Sequence, residues 1–403
     1  MALLVLVLPF TFALLIEVFR LPGIIKFSIE FLLLCFCVLF IKKKYVFIDK
    51  KLKPFITIVL LYFLYTLISY LFHFQSPLFY IWGTRNTFSF YIAFFAFIAY
   101  LNEDDVDTCF KFLDIVFWIN FVCAVFQYYV LGVKQDYLGG VFGTAIGSNG
   151  YTMALLCIVT IYTLLSNFNG TQTAWYCTIK CIAALVVATL AEMKFFYFVF
   201  IIVLIIASIV TKFSLRKFWI IILSIIGVAV GSVLLTSIFG FEGFFSLEGL
   251  IEYATKENYS STRDLNRLSA IFTLSDTILT TPTQRLFGMG IGNCDVSDVH
   301  IFHSTFHQTH SYLHYEWFAS VMVFIETGIV GLTLFLSFFI GCFIFSIKQF
   351  KTNPSNKLFS QMGIAMSVMC IILSFYNASL RIYSAYMIYF VLALPFIGCK
   401  QKK

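Results

Sequence analysis

Charge is scarce in this sequence. Only 12% of the 403 residues are Asp, Glu, Lys or Arg, whereas 61% are hydrophobic. A soluble domain carries roughly 25% charged residues, so this chain has too little charge to cover the surface of a soluble protein of its length. Gly and Pro are also few, at 22 and 7, while Phe alone accounts for 51 residues. The composition argues against a soluble enzyme, a disordered chain and a nucleic-acid binder, and it indicates a protein that uses lipid as its solvent.

Paired cysteines and metal-ligand spacings are lacking as well. The chain has 11 cysteines, but nearly all lie within apolar runs, and Cys294 has no partner in the long polar segment that contains it. A buried cysteine in lipid behaves as a small apolar side chain. We therefore expect neither a disulfide framework nor a metal site built from cysteines.

Twelve apolar runs approach the length of about 20 residues that a membrane span requires. They lie at 2–19, 24–41, 54–74, 87–101, 108–131, 149–166, 175–191, 195–211, 218–238, 322–347, 358–376 and 385–398. We interpret the first as a retained span, because it has no basic leader and no small-residue cleavage site. The predicted fold is an all-α polytopic membrane protein of about twelve helices. Nine spans lie in 1–238, three lie in 322–403, and 239–321 forms a long extracytoplasmic loop of short helices.

Clusters of Lys and Arg orient these predicted spans. Basic clusters follow the second, eighth, tenth and twelfth runs. With twelve spans and a cytoplasmic N-terminus, all four clusters fall on the cytoplasmic side, as does the C-terminus. The outer side then receives the long loop and four shorter segments, at 75–86, 132–148, 192–194 and 377–384.

Ten basic residues remain on the outer side, several of them near the ends of spans: Arg20, Lys26, Arg85, Lys134, Lys194, Lys256, Arg263, Arg267, Arg285 and Arg381. Lys194 lies between two runs with almost no other charge. It is either a snorkelling residue paired with Glu192 or a cation that faces an anionic ligand. Arg85 is either an anchor at the membrane interface beside Trp82 or, like Lys194, a cation that faces an anionic ligand. Arg381, in a short turn, gives the least reason to expect a function.

Two acidic residues interrupt the first two apolar runs. Glu17 and Glu30 would be costly there without partners, and Arg20 and Lys26 are the basic residues that follow the first run. No function that the sequence suggests explains the two acids, and these two bases are their candidate partners.

Arg263 and Arg267 are four residues apart in the long loop. A helix would place both on one face, with Ser261 or Thr262 as the N-cap. Two guanidinium groups can hold a phosphate or pyrophosphate through bidentate hydrogen bonds. The alternative is a solvated helix in which Asp264 pairs with one of them.

The stretch from Gly288 to Asn293 has glycine at 288, 290 and 292. Its spacing is not that of a dinucleotide-binding fingerprint, and no βαβ unit surrounds it. The glycines predict a tight turn whose backbone approaches another group closely.

Five of the six histidines occupy 300, 303, 307, 310 and 314. The alternating steps of three and four would place all five on one stripe of a helix. Histidines at this spacing can bind zinc, but the nearby acids are few and no HExxH motif is present. We favour a polar stripe that faces a wet cavity, with at least one histidine contacting a phosphate or a sugar.

The order of these features resembles the O-antigen polymerase and O-antigen ligase superfamily. The family pattern runs from Ser-x-Arg through an amphipathic stretch to Asn/Thr-Pro, Gly-x-Gly, a histidine and a Glu-x-Gly span. In this chain the matching segments are Ser261-Thr262-Arg263, 268–279, Thr281-Pro282, 288–293 and Glu326-Thr327-Gly328-Ile329-Val330-Gly331-Leu332. Upstream, 140–143 and 149–151 are similar to the family's Gly-Phe-x-x-Asn entry to a span. Lys194 lies where many members carry a basic residue.

The resemblance implies a Wzy-type polymerase that makes O-antigen or capsular polysaccharide at the outer face of the bacterial inner membrane. Its donor would be an oligosaccharide on undecaprenyl pyrophosphate, a lipid that leaves when a sugar hydroxyl attacks the anomeric carbon. Cations would stabilise the negative charge on the pyrophosphate, and charge placement singles out the same residues: Arg85, Lys194, Arg263 and Arg267. The base would be His310 or His314, with Arg263 also catalytic.

No metal, nucleotide or other cofactor is required by this chemistry. Membrane lipid, a chain-length regulator and a flippase are the implied partners, and nucleic acid is not among them.

Three alternatives stay open at this point. An O-antigen ligase would transfer the glycan to lipid A-core, and no residue decides between the two acceptors; the polymerase is favoured because polymerases are more numerous. A lipid-linked sugar flippase or transporter would also have about twelve spans, but internal repeats and charges near the bilayer centre would be expected. A structural scaffold would not need the concentration of arginine and histidine in the long loop.

Overall fold

The computed structural model describes residues 2–40, 49–73, 75–240, 248–249, 251, 256, 264–297, 300–353 and 356–399. Throughout these ranges every regular element is a helix. The all-α prediction is therefore confirmed for the described part of the chain.

Within these ranges, twelve α-helices overlap the twelve apolar runs, and three short α-helices lie between the ninth and tenth of them. In chain order they are α1 (Ala2–Ala13), α2 (Ser28–Phe40), α3 (Lys53–His73), α4 (Pro77–Tyr100), α5 (Glu103–Tyr129), α6 (Ser148–Phe168), α7 (Ala174–Leu190), α8 (Lys194–Val210), α9 (Leu215–Phe239), α10 (Ala270–Thr277), α11 (Pro282–Phe287), α12 (Thr305–His310), α13 (Ala319–Thr352), α14 (Lys357–Tyr376) and α15 (Ala385–Ile397). Short 3₁₀ and π turns connect several of them.

Among the described residues, six helices are long and apolar enough to cross a membrane, namely α3, α5, α6, α9, α13 and α14. Four apolar segments are shorter, namely Ala2–Val18, α7, α8 and α15. The architecture is that of an all-helical polytopic membrane protein.

The centre of the bundle is formed by α15, in which every residue is buried. A helix that is apolar on all sides is stable only when other helices or lipid surround it completely. It packs against α4 and α14. The many phenylalanines fill this interior, where the ring of Phe55 contacts four other rings: Phe94, Phe338, Phe345 and Phe396. In contrast, α9 leaves most of its side chains exposed.

The outer segment 75–86, which lies between two apolar runs, is largely helical. The helix α4 begins at Pro77 and continues through it. Proline is well suited to the first position of a helix, because its fixed φ matches and its missing N–H costs nothing there. Arg85 does not end the helix, since its charge is balanced by Glu30 of α2.

A difference from prediction lies within α13. The run 322–347 was expected to be continuous, but Gly328 has φ 64° and ψ −169°, which breaks the helix. The amides of Met289 and Gly290 donate to the carbonyl oxygens of Ile325 and Glu326, at 2.7 and 3.0 Å. The glycine-rich turn thus satisfies carbonyl groups that the break frees, so the turn and the broken helix form one unit.

Candidate functional site

A buried ion pair lies where the glycine-rich turn meets the broken helix. Glu326 is completely buried, and its Oε2 accepts from Nη1 of Arg381 at 2.7 Å. Its Oε1 accepts from the amide of Gly292 at 2.8 Å. Burial lowers the pKa of Arg381, but the carboxylates of Glu326 and Asp295 outweigh that effect and raise it. Arg381 therefore stays charged and anchors the turn 377–384 to both acids.

Further polar side chains connect this ion pair to α2 and α4. Asp295 lies 3.9 Å from Nη2 of Arg381, and its Oδ2 accepts a hydrogen bond from Asn86. The neighbouring Arg85 donates to Oε1 of Glu30 at 2.5 Å and to the hydroxyl of Tyr383 at 3.1 Å. We call these side chains the central network: Glu30, Arg85, Asn86, Asp295, Glu326 and Arg381. It holds three acids and two bases, so it does not carry an excess of positive charge.

The predicted partners of the first two acids are therefore wrong. Glu30 pairs with Arg85, not with Lys26. Glu17 accepts from the backbone amide of Thr144 at 2.9–3.0 Å and from its hydroxyl at 3.1 Å. Both partners are distant in sequence, because helix packing decides which charges meet and sequence proximity does not.

The glycine-rich turn lies directly against α4. Gly288, Gly290 and Gly292 all have positive φ. A Cβ at Gly83 would lie 2.3 Å from the amide nitrogen of Gly292, so the two backbones touch. The group that the turn approaches closely is therefore another part of this chain.

A second group of cations lies at the junction of α8, α14 and the segment before α10. Lys194 begins α8, and its Nζ lies 3.3 Å from Oε1 of Glu192. The next residue, Phe195, stacks its ring on that of Tyr376 with 3.7 Å between centroids. Arg267 contacts the same tyrosine, with its guanidinium 4.6 Å from the ring centroid and its Nε donating to the carbonyl at 3.2 Å. Tyr376 thus contacts both Arg267 and Phe195, the residue that follows Lys194.

The predicted helix for the two loop arginines does not extend to Arg267. This residue lies in a turn that precedes α10, which begins at Ala270. A shared helical face for the two arginines is therefore wrong. Arg263 and its proposed N-cap residues lie outside the described residues. Aromatic contacts hold this turn in place. The guanidinium group of Arg267 also lies 5.6 Å from the ring centroid of Phe318.

The histidines do not form one helical stripe. Ser304 starts a new helix by accepting from the amide of His307 at 3.1 Å, and that helix ends at His310. His314 then has φ 50°, which no α-helix allows. The amide of Leu265 donates to the carbonyl of Leu313 at 3.1 Å, so the histidine segment lies beside the segment that carries Arg267.

Each candidate histidine has its own fixed contacts. Nδ1 of His310 lies 3.2 Å from the carbonyl oxygen of Phe306, which can only accept. In neutral His310 the proton is therefore on Nδ1 and the lone pair is on Nε2. Nδ1 of His314 lies 3.5 Å from Glu316, and its ring stacks on Trp317 at 4.2 Å.

His307, one of the five histidines of the predicted stripe but not a predicted base, is also held in place. Its Nδ1 lies 3.1 Å from the hydroxyl of Tyr315, and that hydroxyl donates to the carbonyl of Cys294 at 2.8 Å. Burial raises the pKa of Tyr315, so its hydroxyl keeps its proton for that bond. These two hydrogen bonds join the histidine segment to the end of the glycine-rich turn.

An intramembrane ion pair was missed by the sequence analysis. Lys180 of α7 pairs with Asp114 of α5, and it is only 2% exposed. The hydroxyl of Tyr176 donates to the second oxygen of Asp114 at 2.5 Å. The signal was available, because a lysine and an aspartate each interrupt an apolar run, and such residues rarely lack a partner in the membrane.

Comparison with protein-family models finds no family that matches this chain, and comparison with curated proteins finds no significant relative. The class of protein is therefore defined by the fold, and a function must be argued from the residues.

Proposed function

We propose that this protein is an integral-membrane glycosyltransferase that polymerises undecaprenyl-pyrophosphate-linked oligosaccharide units of O-antigen or capsular polysaccharide. In this proposal the chain has twelve spans with both termini in the cytoplasm of a bacterium. The segment 239–321 lies at the outer face of the inner membrane. The resemblance in motif order is one source of support, and the convergence of candidate residues from three separate segments is the other.

The observation that carries the proposal is the contact of Phe195 and Arg267 with the same tyrosine. Lys194 and Arg267 lie 73 positions apart in sequence, yet Phe195, the neighbour of Lys194, and Arg267 both contact Tyr376. Two segments that each carry a cation thus meet at one aromatic side chain, which suits a ligand that carries more than one negative charge. A lipid pyrophosphate is such a ligand, and Arg offers it a bidentate donor where Lys offers a point charge.

The cations would act on the leaving group. As the glycosidic bond to the pyrophosphate breaks, negative charge grows on the phosphate oxygen that leaves. Fixed donors beside that oxygen stabilise the transition state more than the ground state. Arg267 is held by the carbonyl and ring of Tyr376, so little reorganisation is needed when this charge appears.

Arg85 has a different role in this proposal. Its guanidinium is paired with Glu30 and lies over the rings of Phe27 and Trp82, at 4.6 and 4.7 Å. A cation that is already neutralised contributes little net charge to an anionic ligand. We therefore assign Arg85 to holding the central network. Arg267 is the main candidate for pyrophosphate binding, with Arg263 as a further candidate, and Lys194 would have to exchange its pair with Glu192 for the ligand.

The acceptor hydroxyl must lose a proton as it attacks the anomeric carbon. His310 suits this step because its contact with Phe306 leaves Nε2 as the acceptor. His314 is the second candidate, with Glu316 positioned to stabilise its protonated ring. The bond between Leu265 and Leu313 keeps these histidines close to the arginine segment.

The test is complementation in a strain that lacks its own polymerase and ligase but makes the lipid-linked repeat. The wild-type protein, Arg267→Gln and the control Arg285→Gln are expressed at equal membrane abundance. Arg285 belongs to the same segment but is 46% exposed and lies against Asp276 at 3.5 Å. We expect a ladder of repeats from wild type and Arg285→Gln, and none from Arg267→Gln. Transfer of one repeat to lipid A-core would instead identify a ligase, and no change in glycan would refute both activities.

A further inference from the structure

The innermost part of the central network has more acids than bases. Glu30 has Arg85 as its own partner, at 2.5 Å. Glu326 and Asp295 instead share Arg381, whose Nη1 and Nη2 lie 2.7 and 3.9 Å from their oxygens. Among the described residues, neither acid forms an ion pair with another base. If both acids were ionised, two negative charges would face one positive charge in this buried triad, which we define as Asp295, Glu326 and Arg381.

The buried triad lies almost entirely out of water. The side chains of Glu326, Arg381 and Asp295 are 0%, 8% and 10% exposed. An ionised carboxylate without a counter-charge is so costly in such surroundings that it usually takes up a proton instead. The charges in the triad balance when the two acids together hold one proton.

One nitrogen of Arg381 supplies a second observation. The arginine side chain is more than nine-tenths buried, yet its Nη2 has no hydrogen-bond partner among the described residues. It faces Oδ2 of Asp295 across 3.9 Å, which is too long for a hydrogen bond. Two ionised acids would each be expected to form a close, charge-assisted hydrogen bond with a buried guanidinium. The long distance fits a pair of acids that carries one negative charge between them.

Other titratable side chains near the triad do not supply the missing positive charge. Cys294 and Tyr315 face the triad from the segment outside the bundle, and burial raises the pKa of both, so each keeps its proton and stays neutral. Tyr62 of α3 and Tyr91 of α4 face Arg381, and a phenol is neutral at about pH 7. His307 contacts the hydroxyl of Tyr315 and is the histidine whose titration must be tested separately.

We propose that Asp295 and Glu326 form a proton-binding site, and that the bound proton keeps the glycine-rich turn docked against the bundle. The proton comes from water and binds to one carboxylate, and Arg381 balances the negative charge that remains on the other. We describe the proton as bound by the pair, because interacting carboxyl groups titrate as a unit. This site does not depend on the proposed glycosyl transfer.

Loss of the proton should weaken the contact between the glycine-rich turn and the bundle. Glu326 belongs to α13, whereas Asp295 follows the turn and accepts a hydrogen bond from Asn86 of α4. When both acids are ionised, their repulsion is relieved if Asp295 moves into water. Ser304 donates to the carbonyl oxygen of Asp295 at 3.4 Å, so the histidine segment is attached to the same part of the chain. Docking should be complete at low pH and be lost as the pH rises through the titration of the pair.

Isosteric substitutions remove the excess charge without a proton. Asp295→Asn is the primary variant, because it keeps the shape of the side chain and leaves Arg381 with Glu326 alone. Glu326→Gln does the same at the fully buried position, so either variant can stand in if the other does not fold. Asp276→Asn is the matched control, since it removes an acid of the same loop that is 76% exposed. His307→Gln controls for titration of the histidine.

The experiment is hydrogen–deuterium exchange of the purified full chain in detergent, from about pH 5 to about pH 9. Mass spectrometry follows the amides of 288–296, with the intrinsic effect of pH on exchange divided out. For one bound proton, the opening equilibrium rises by up to about tenfold per pH unit above the titration midpoint. We expect this slope in wild type, Asp276→Asn and His307→Gln, and no slope in Asp295→Asn or Glu326→Gln.

Infrared spectroscopy detects the proton directly. A protonated carboxyl group has a C=O stretching band that an ionised carboxylate lacks. This band should be present in wild type and in Asp276→Asn at about pH 7, and it should be absent from Asp295→Asn and Glu326→Gln.

Four results would overturn the proposal. Exchange of 288–296 that does not depend on pH in wild type is one, and an unchanged slope in Asp295→Asn is another. Loss of the slope in His307→Gln, with Asp295→Asn still responsive, would place the titrating group on the histidine. Protection that Na⁺ restores at high pH, where choline does not, would show that the site binds a metal cation and not a proton.

Discussion

Arg381 and Glu326 form an ion pair in the interior of the bundle, with 2.7 Å between Nη1 and Oε2. They are 55 residues apart, on a turn before α15 and at the break of α13. Because Oε1 of Glu326 also accepts from Gly292, one carboxylate joins the turn, the broken helix and the glycine-rich segment. The pair holds the outer segment against the bundle.

Removing one member of this pair should destabilise the protein strongly. Arg381→Met leaves the buried carboxyl group of Glu326 without its counter-charge, and loss of one member of a buried ion pair costs about 3–5 kcal/mol. We expect a lower melting temperature in detergent and reduced abundance in membranes. The double variant Glu326→Leu with Arg381→Met should recover part of the loss. Arg285→Met is the control: it removes a half-exposed pair with Asp276 and hydrogen bonds to the carbonyl groups of Ser275 and Leu279, but it leaves no buried charge without a partner. Equal losses in the two single arginine variants would contradict the assignment.

Gly328 should not tolerate a side chain. Its φ of 64° is unfavourable for other residues, and a Cβ there would lie 2.1 Å from the carbonyl oxygen of Leu286. Gly328→Ala should therefore detach the segment after α11 from α13, and limited proteolysis should detect faster cleavage between 282 and 297. Gly150→Ala serves as the comparison, since a Cβ at Gly150 meets no atom within 4 Å. Wild-type protease resistance in Gly328→Ala would show that the break can relax.

The Lys180–Asp114 pair should matter for folding and little for chemistry. Lys180→Met leaves Asp114 with only Tyr176 and should lower the melting temperature markedly. Lys180→Met combined with Asp114→Leu removes both charges and should restore much of the stability, along with the glycan ladder. A stable double variant that makes no glycan would move this pair into the functional machinery.

His310 and His314 can be separated by substitution. His310→Asn keeps a donor near the carbonyl of Phe306 but removes the Nε2 lone pair. If His310 is the base, the rate of glycan extension should fall by about 10²–10⁴. His303→Asn is the control, because His303 is exposed in the same segment. Should His310→Asn retain its rate while His314→Gln loses it, His314 is the base.

The helices were predictable because each apolar run carries its own signal. A long run such as 54–74 cannot satisfy its backbone groups in lipid except as a helix, and α3 occupies that region. The break at Gly328 was not predictable in the same way, since an isolated glycine in an apolar run rarely interrupts a helix. It breaks here because the turn at 288–290 supplies two donors to the freed carbonyls.

The sequence predicted which residues are candidates for the site, but it did not predict which side chains they contact. Lys194 and Arg267 were predicted as outer cations, but the contact of Arg267 and of Phe195, beside Lys194, with Tyr376 depends on how α14 packs beside α8. Arg85 was identified by the same argument, yet Glu30 neutralises it. Arg381 was given the least weight because its turn is short, whereas its burial against Glu326 could be known only from the tertiary fold.

The most direct test of the central claim uses the purified protein in liposomes with the lipid-linked repeat as the only substrate. The assay measures undecaprenyl pyrophosphate release and glycan length together, for wild type, Lys194→Gln, Arg267→Gln and Arg285→Gln. We predict that wild type and Arg285→Gln release one lipid pyrophosphate for each linkage formed, and that the other two variants release little. Movement of the intact repeat across the bilayer with no release would contradict the account and identify a flippase.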